Sequence, residues 1–241
     1  MAAVGADTAA QARSRAAAAS VRHPLTVFLL TLTFSTGLVD AVSYLGLGRV
    51  FSANMTGNVV LLGFGIAGGY SLPIVAPIVS LMAFLLGAAL GGRLAESIAH
   101  RHRVHVGAAL GAEVALLAVA TVITAVATVH PNTFWSDVVI GLLALAMGVR
   151  NATVRRIGVP DLTTTVLTLT LTGLAADLRH PRTNLTASAR RLFAVLAMLI
   201  GALVGALVLK TSPAWVLALA AVLATITGAR YLTHPSSRDA T

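Results

Sequence analysis

Cysteine is absent from this chain, lysine occurs once, and charged and aromatic residues are scarce. Each shortage removes a class of function. Without cysteine there are no disulfides, no thiolate metal sites and no thiol nucleophile. With only 10% charged residues against 57% hydrophobic ones, the chain cannot cover a water-soluble surface. A mean hydropathy of +0.88 instead fits a bundle of membrane helices. No H-E-x-x-H, G-x-S-x-G or P-loop pattern occurs, so neither an enzyme nor a bound metal or cofactor is expected. The net charge of +9 raises nucleic acid as a partner. The arginines, however, sit in short stretches between apolar runs without a basic face, and a topological role accounts for them. No nucleic-acid partner is expected. Sixteen arginines to one lysine (Lys210), with abundant alanine, match a GC-rich bacterial genome.

What is present is a series of apolar segments, at 25–47, 52–69, 73–92, 106–129, 134–150, 163–178, 191–209 and 213–231. They are expected to form one membrane domain over 23–232, with halves 25–130 and 134–232. Short tails at 1–22 and 233–241 flank it, the first Ala-rich and read as disordered. The run beginning at Leu25 is too long for a signal-peptide core and carries Asp40, so it reads as a retained first span. The second and sixth segments are short and rich in Gly, Asn or Thr. If all eight cross from an N-terminus inside, nine cations fall inside and eight outside. If the second and sixth enter and leave on the same side, fifteen fall inside and only Arg49 and Lys210 outside. A seven-span arrangement with only the sixth segment re-entrant gives thirteen against four. Cytoplasmic loops retain Lys and Arg, so the count selects six spans with both termini cytoplasmic in a bacterial plasma membrane. The fold class is all-α and polytopic, with six transmembrane helices and two re-entrant or broken segments. Irregular backbone at membrane depth must be buried in protein or line a wet cavity, so both short segments are expected inside the bundle.

Three spans and one short segment per half would make the second half an inverted copy of the first. Gly37-Leu-Val-Asp40-Ala41 aligns with Gly148-Val-Arg-Asn151-Ala152, and Gly46 and Thr56 align with Gly158 and Thr168 across a one-residue gap.

The stretch Gly37-Leu-Val-Asp40-Ala-Val-Ser-Tyr-Leu-Gly46, followed by Phe51 and Met55-Thr-Gly-Asn58, resembles the YoaK family of bacterial membrane proteins. Ala146-Met-Gly-Val-Arg150-Asn151-Ala-Thr-Val-Arg155-Arg156-Ile-Gly158-Val-Pro160 with Thr164-Thr165 looks like that family's second signature. The resemblance runs from about residue 25 to 231. It implies an integral membrane protein from an uncharacterised family and carries no substrate or catalytic residue. Other members often have Thr-Gly after the second motif, where this chain has Thr168-Leu169.

Several residues are candidates for an ion or substrate pathway. An Asp inside a span costs about 2.5–3.5 kcal/mol on insertion scales, so Asp40 should face inward with a partner. The expected partner is Arg150 or Asn151 from the other half. The pair would serve either as a proton or cation site or as a structural lock. Asn54, Thr56, Gly57 and Asn58 make a polar break: glycine lets the chain turn and Asn or Thr can cap the half-helix that follows. The alternative is the tip of a structural hairpin. Thr164, Thr168 and Thr172 share a helical face, and either line a polar path or bond back to carbonyls. Together Asp40, Asn54, Thr56, Asn58, Asn151, Thr164 and Thr168 would line a central cavity. Glu113 is expected to snorkel or pair with an arginine. The histidines fall in loops or at membrane edges. His100, His102 and His105, set among arginines, suit anionic lipid headgroups better than a metal. Gly87-x-x-x-Gly91 and Gly201-x-x-x-Gly205 mark close helix packing, within the protomer or in a homodimer. The leading functional expectation is a small transporter or channel-like protein. A structural or assembly factor is the alternative, and a membrane enzyme a weaker one.

Overall fold

The computed structural model describes residues 24–68, 72–97, 102–157, 167–177 and 185–233. The tails and Thr164 lie outside the described residues. The described chain is helical throughout. Helix α1 (Pro24–Val42) continues as a π-helical segment (Ser43–Gly48), and α2 is Met55–Ile66. There follow α3 (Val75–Ser97), α4 (His102–Val126), α5 (Phe134–Ile157), α6 (Leu167–Asp177), α7 (Leu185–Leu209) and α8 (Pro213–Thr233). Starts and stops follow local chemistry. Pro24, Pro77 and Pro213 stand in first turns, where a missing N–H costs nothing. Thr133 caps α5, its Oγ1 accepting from Ser136 N while its own N–H donates to Ser136 Oγ. The π-segment ends at Arg49, which takes a left-handed φ of 54° and donates its N–H to Tyr44 O at 3.2 Å.

Six of these helices are long and apolar enough to span a bilayer. Helix α2, with 12 residues, and α6, with 11 described residues, reach only about 16–18 Å, short of a core of about 30 Å. The six-span expectation thus holds by length and composition. The molecule is also inside-out relative to a soluble protein. Leu199, Leu203 and Leu207 on α7 and Met82, Leu85 and Leu86 on α3 are exposed. The buried set includes Thr33, Ser35, Thr36, Asp40 and Ser43, all from the first span. Such an apolar exterior is untenable in water and ordinary in lipid.

Two glycine-mediated contacts organise the bundle. Helix α1 lies against α7: a Cβ on Gly201 would meet Phe34 O at 2.1 Å, and one on Gly37 would meet Met198 O at 2.5 Å. Helix α3 lies against α5 in the same manner, with Gly87 against Leu145 O and Gly148 against Phe84 O, each at 2.2 Å. Both G-x-x-x-G faces are therefore used inside the protomer, and neither is left for a second copy. The register shows direction. Gly201 meets Phe34 and Gly205 meets Leu38 and Ala41, so α1 and α7 run parallel. A parallel pair requires an odd number of crossings between them, met by α3, α4 and α5 and broken if α2 also crossed, which excludes the seven-span arrangement. Helix α4 packs on α8 with Gly107 at Leu232 and Gly228 at Leu110, an antiparallel register. Helices α1 and α8, and likewise α4 and α5, also adjoin one another. The main core, which includes Leu38, Val39, Leu117, Ile140, Met147 and Leu217, lies where these four helices converge.

Candidate functional site

Asp40 sits in the last turn of α1, about 10 Å back along the helical run from the end of the π-helical segment at Gly48. The chain reverses there. Val50, Ser52 and Ala53 are buried, and the segment returns to Asp40, whose Oδ1 accepts from Ser52 N and Ala53 N, each at 2.9 Å. This is irregular backbone at depth with its donors satisfied by protein, as lipid demands. Asn58 completes the arrangement. Its Oδ1 accepts from Phe51 N at 2.8 Å, and its Nδ2 donates to Phe51 O at 2.6 Å and to Ser80 Oγ at 3.0 Å. The amide thus behaves like a neighbouring strand, clamping both polar groups of Phe51. Ser80 on α3 also donates to Phe51 O, at 2.7 Å. The Phe51 ring stacks on Tyr44, with centroids 4.8 Å apart.

With the loop fixed, α2 starts beside Asp40 and runs outward. Asn54 caps it, Oδ1 accepting from Gly57 N at 3.4 Å. Gly57 does not serve as a turn residue. It lies in the first turn of α2, where a Cβ would strike the Phe51 ring at 2.9 Å, so its bareness admits the ring. On the other side, α6 begins at the same place. A cavity of about 90 Å³ is lined by Thr36, Asp40, Ala53, Asn54, Leu167 and Thr168, with Met198 of α7 at its edge. The two short segments therefore meet at a buried carboxyl. Asp40 Oδ2 has no hydrogen-bond partner among the described residues.

The hydrogen bonds of Asp40 go to the loop backbone rather than to Arg150. Arg150 forms a buried ion pair with Glu113, Nε donating to Oε2 at 2.9 Å and Nη2 to Oε1. Its remaining donors reach α1: Nη1 to Leu32 O and to Thr36 Oγ1, both at 3.0 Å, and Nη2 to Ser35 Oγ at 3.2 Å. Glu113 wins because a bidentate carboxylate satisfies the guanidinium fork completely, while Asp40 has two backbone N–H groups close by. Arg150 is consequently no loop cation. It lies 2% exposed inside α5, which runs on to Ile157, and the charge count becomes fourteen to two without losing its bias. Thr36 links the two features, because its Oγ1 touches Arg150 and it also lines the Asp40 cavity. Asn151 donates to Met147 O at 2.8 Å and faces a separate groove with Phe84 and Arg155. Thr56 is exposed and Asn58 is committed to the clamp, so neither lines the cavity. Thr172 bonds back to Thr168 O at 2.9 Å. His102 and His105 begin α4 rather than occupying a loop, and His105 is buried. No metal-binding cluster occurs among the described residues.

Glu113, Thr36, Ser35 and Ser80 were not singled out together from the sequence. Glu113 and Arg150 stand at similar distances from the turn joining α4 and α5, a matched-depth signal that would have paired them.

These features define a polytopic membrane protein with two half-length helices converging on one buried carboxyl. Residues 28–229 match a family described as "Protein of unknown function (DUF1275)". The UPF0700 transmembrane protein YoaK of Bacillus subtilis is 30% identical over 201 residues, covering 79% of this chain and 85% of that protein. The chain belongs to this family. No solved structure matches it.

Proposed function

We propose that the protein is a small transporter or channel-like protein of the bacterial plasma membrane, moving its cargo past Asp40 between the two half-length helices. The observation that carries this reading is the shared cavity, where Ala53 and Asn54 from one half face Leu167 and Thr168 from the other. Broken helices meeting inside a bundle are the recurring architecture of secondary transporters, usually in inverted repeats. The helix pairings support such a repeat. Exchanging α1 with α5, α2 with α6, α3 with α7 and α4 with α8 turns the α1–α7 contact into the α5–α3 contact, and α1–α8 into α5–α4. Gly37 exchanges with Gly148, and the pair Gly201 and Gly205 with Gly87 and Gly91. The exchanged helices α4 and α8 are antiparallel, the relation an inverted repeat requires. About 90 Å³ holds roughly three waters, so in this conformation the path suits a small ion or water.

The alternative is a structural or assembly factor using small-residue faces to bind other membrane proteins. It is weakened because both G-x-x-x-G faces are already covered within the chain. The reading assigns no catalysis. The test is flux in proteoliposomes across small ions and solutes. Transport is expected, with a loss of at least tenfold in Asp40→Asn, whose amide keeps an oxygen for Ser52 N and Ala53 N. Absence of flux in the wild type across that screen favours the assembly factor.

A further inference from the structure

The geometry points to Asp40 as a proton-binding site, with the cavity holding water and excluding metal cations. The inference deepens the transport reading, since it names the ion that would use this site. It stands on how the two carboxyl oxygens are employed. Oδ1 accepts both N–H bonds of the returning loop, Oδ2 has no hydrogen-bond partner among the described residues, and Asp40 lines the cavity. A carboxyl group can therefore take up a proton on Oδ2 while Oδ1, now the carbonyl oxygen, still accepts from Ser52 and Ala53. Loading and unloading leave the loop bonded in both states, as a site in repeated use needs. No covalent step other than O–H formation on Oδ2 and its reversal is involved, with cavity water as donor and acceptor.

The surrounding charges leave Asp40 unmatched. Arg150 and Glu113 neutralise each other through two bonds, so an ionised Asp40 is the extra charge of this cluster. Among the other elements around the cavity, α6 presents Leu167 and Thr168, α7 presents Met198, and the loop presents Asn54. None of these side chains ionises. Arg190 and Arg191 stand in the first turns of α7 and Arg230 in the last turn of α8, away from Met198 and the cavity. Among the described residues no cationic side chain is then left to pair with Asp40, and the positive partner is supplied from solvent. A sodium or potassium ion needs several oxygen ligands at once. Thr36 Oγ1 already donates to Leu32 O at 2.9 Å and accepts from Arg150, and Asn54 Oδ1 caps α2. That leaves Oδ2 and the Thr168 hydroxyl as the uncommitted oxygen donors among the lining side chains. A proton requires only Oδ2.

The experiment is infrared difference spectroscopy of the full-length protein in lipid nanodiscs between acid and alkaline buffer. One titrating C=O component of a protonated carboxylic acid, beyond those of the other carboxyls, is expected in wild type and absent in Asp40→Asn. Thermal stability should not respond to sodium or potassium chloride beyond the common ionic-strength effect. A C=O region left unchanged by Asp40→Asn overturns the proposal, as does a saturable sodium or potassium stabilisation that this variant abolishes. If Asp40→Asn fails to fold, Thr168→Val is used instead. It should shift the frequency of the band by removing a hydroxyl from the cavity, and an unmoved band overturns the assignment. The two readings fail separately. A band without any flux in proteoliposomes keeps the proton site and removes transport. Flux without a band keeps transport and removes the proton site.

Discussion

At the scale of single residues, the interior is held by groups that satisfy one another rather than by their mere polarity. The Glu113–Arg150 pair shows how. Both partners are almost wholly buried, and the guanidinium also bonds three groups of the first span, Leu32 O, Ser35 Oγ and Thr36 Oγ1. Removing one partner leaves a buried charge uncompensated, which costs about 3–5 kcal/mol. Glu113→Gln is therefore expected to lower stability by that order, measured by reversible unfolding in mixed micelles. Replacing both, with Glu113→Leu and Arg150→Met, should recover much of the loss, because a well-packed apolar pair carries no desolvation penalty. A double variant no more stable than the single one would show that the bonds from Arg150 to Leu32, Ser35 and Thr36 matter more than the ion pair.

Helices approach one another here through missing side chains. On α1–α7 and α3–α5 the glycines bring backbone against backbone, so any Cβ must displace a main-chain carbonyl. Close approach replaces the hydrophobic effect, which is unavailable between helices in lipid, with dispersion contacts. Gly201→Leu and Gly148→Leu are each expected to destabilise by about 1–3 kcal/mol or more through overpacking. Gly92→Leu should be near neutral, since a Cβ there meets nothing within 4 Å. The comparison is read as a shift in the midpoint of thermal unfolding, and equal shifts for Gly92 and Gly201 would remove the close-packing account. The half-length helices depend on this framework, with α2 resting on α3 and α6 on α7.

Across the whole molecule, the α1–α7 contact matches the α3–α5 contact and the α1–α8 contact matches the α4–α5 contact, and the two short helices reach the Asp40 cavity from different parts of the chain. The proposed orientation has a direct check in this naturally cysteine-free chain. A single cysteine at Pro131, in the exposed turn before α5, should react with a membrane-impermeant reagent applied from outside. One at Glu96, exposed near the end of α3, should not. Efficient external labelling at Glu96 would reverse the orientation or break the six-span count. The sidedness rests on fourteen cations against two.

The sequence by itself determined the solvent, the number of spans, the two short segments and the inward placing of Asp40. All of these follow from local quantities: run length, charge placement, and the cost of a carboxylate in an apolar stretch. It also yielded the Asn54 cap and the close-packing glycines, which are set within a turn or two of chain. Partner choice was decided only in three dimensions. Arg150 turned from Asp40 to Glu113, and Asn58 became a backbone clamp instead of a cavity wall. Gly57 made room for a ring. Each outcome depends on distances between residues far apart in sequence, where several polar groups compete at one depth. The winner is the group whose hydrogen-bonding geometry is met in full. A sequence states which groups must find partners, and only the packed bundle assigns them.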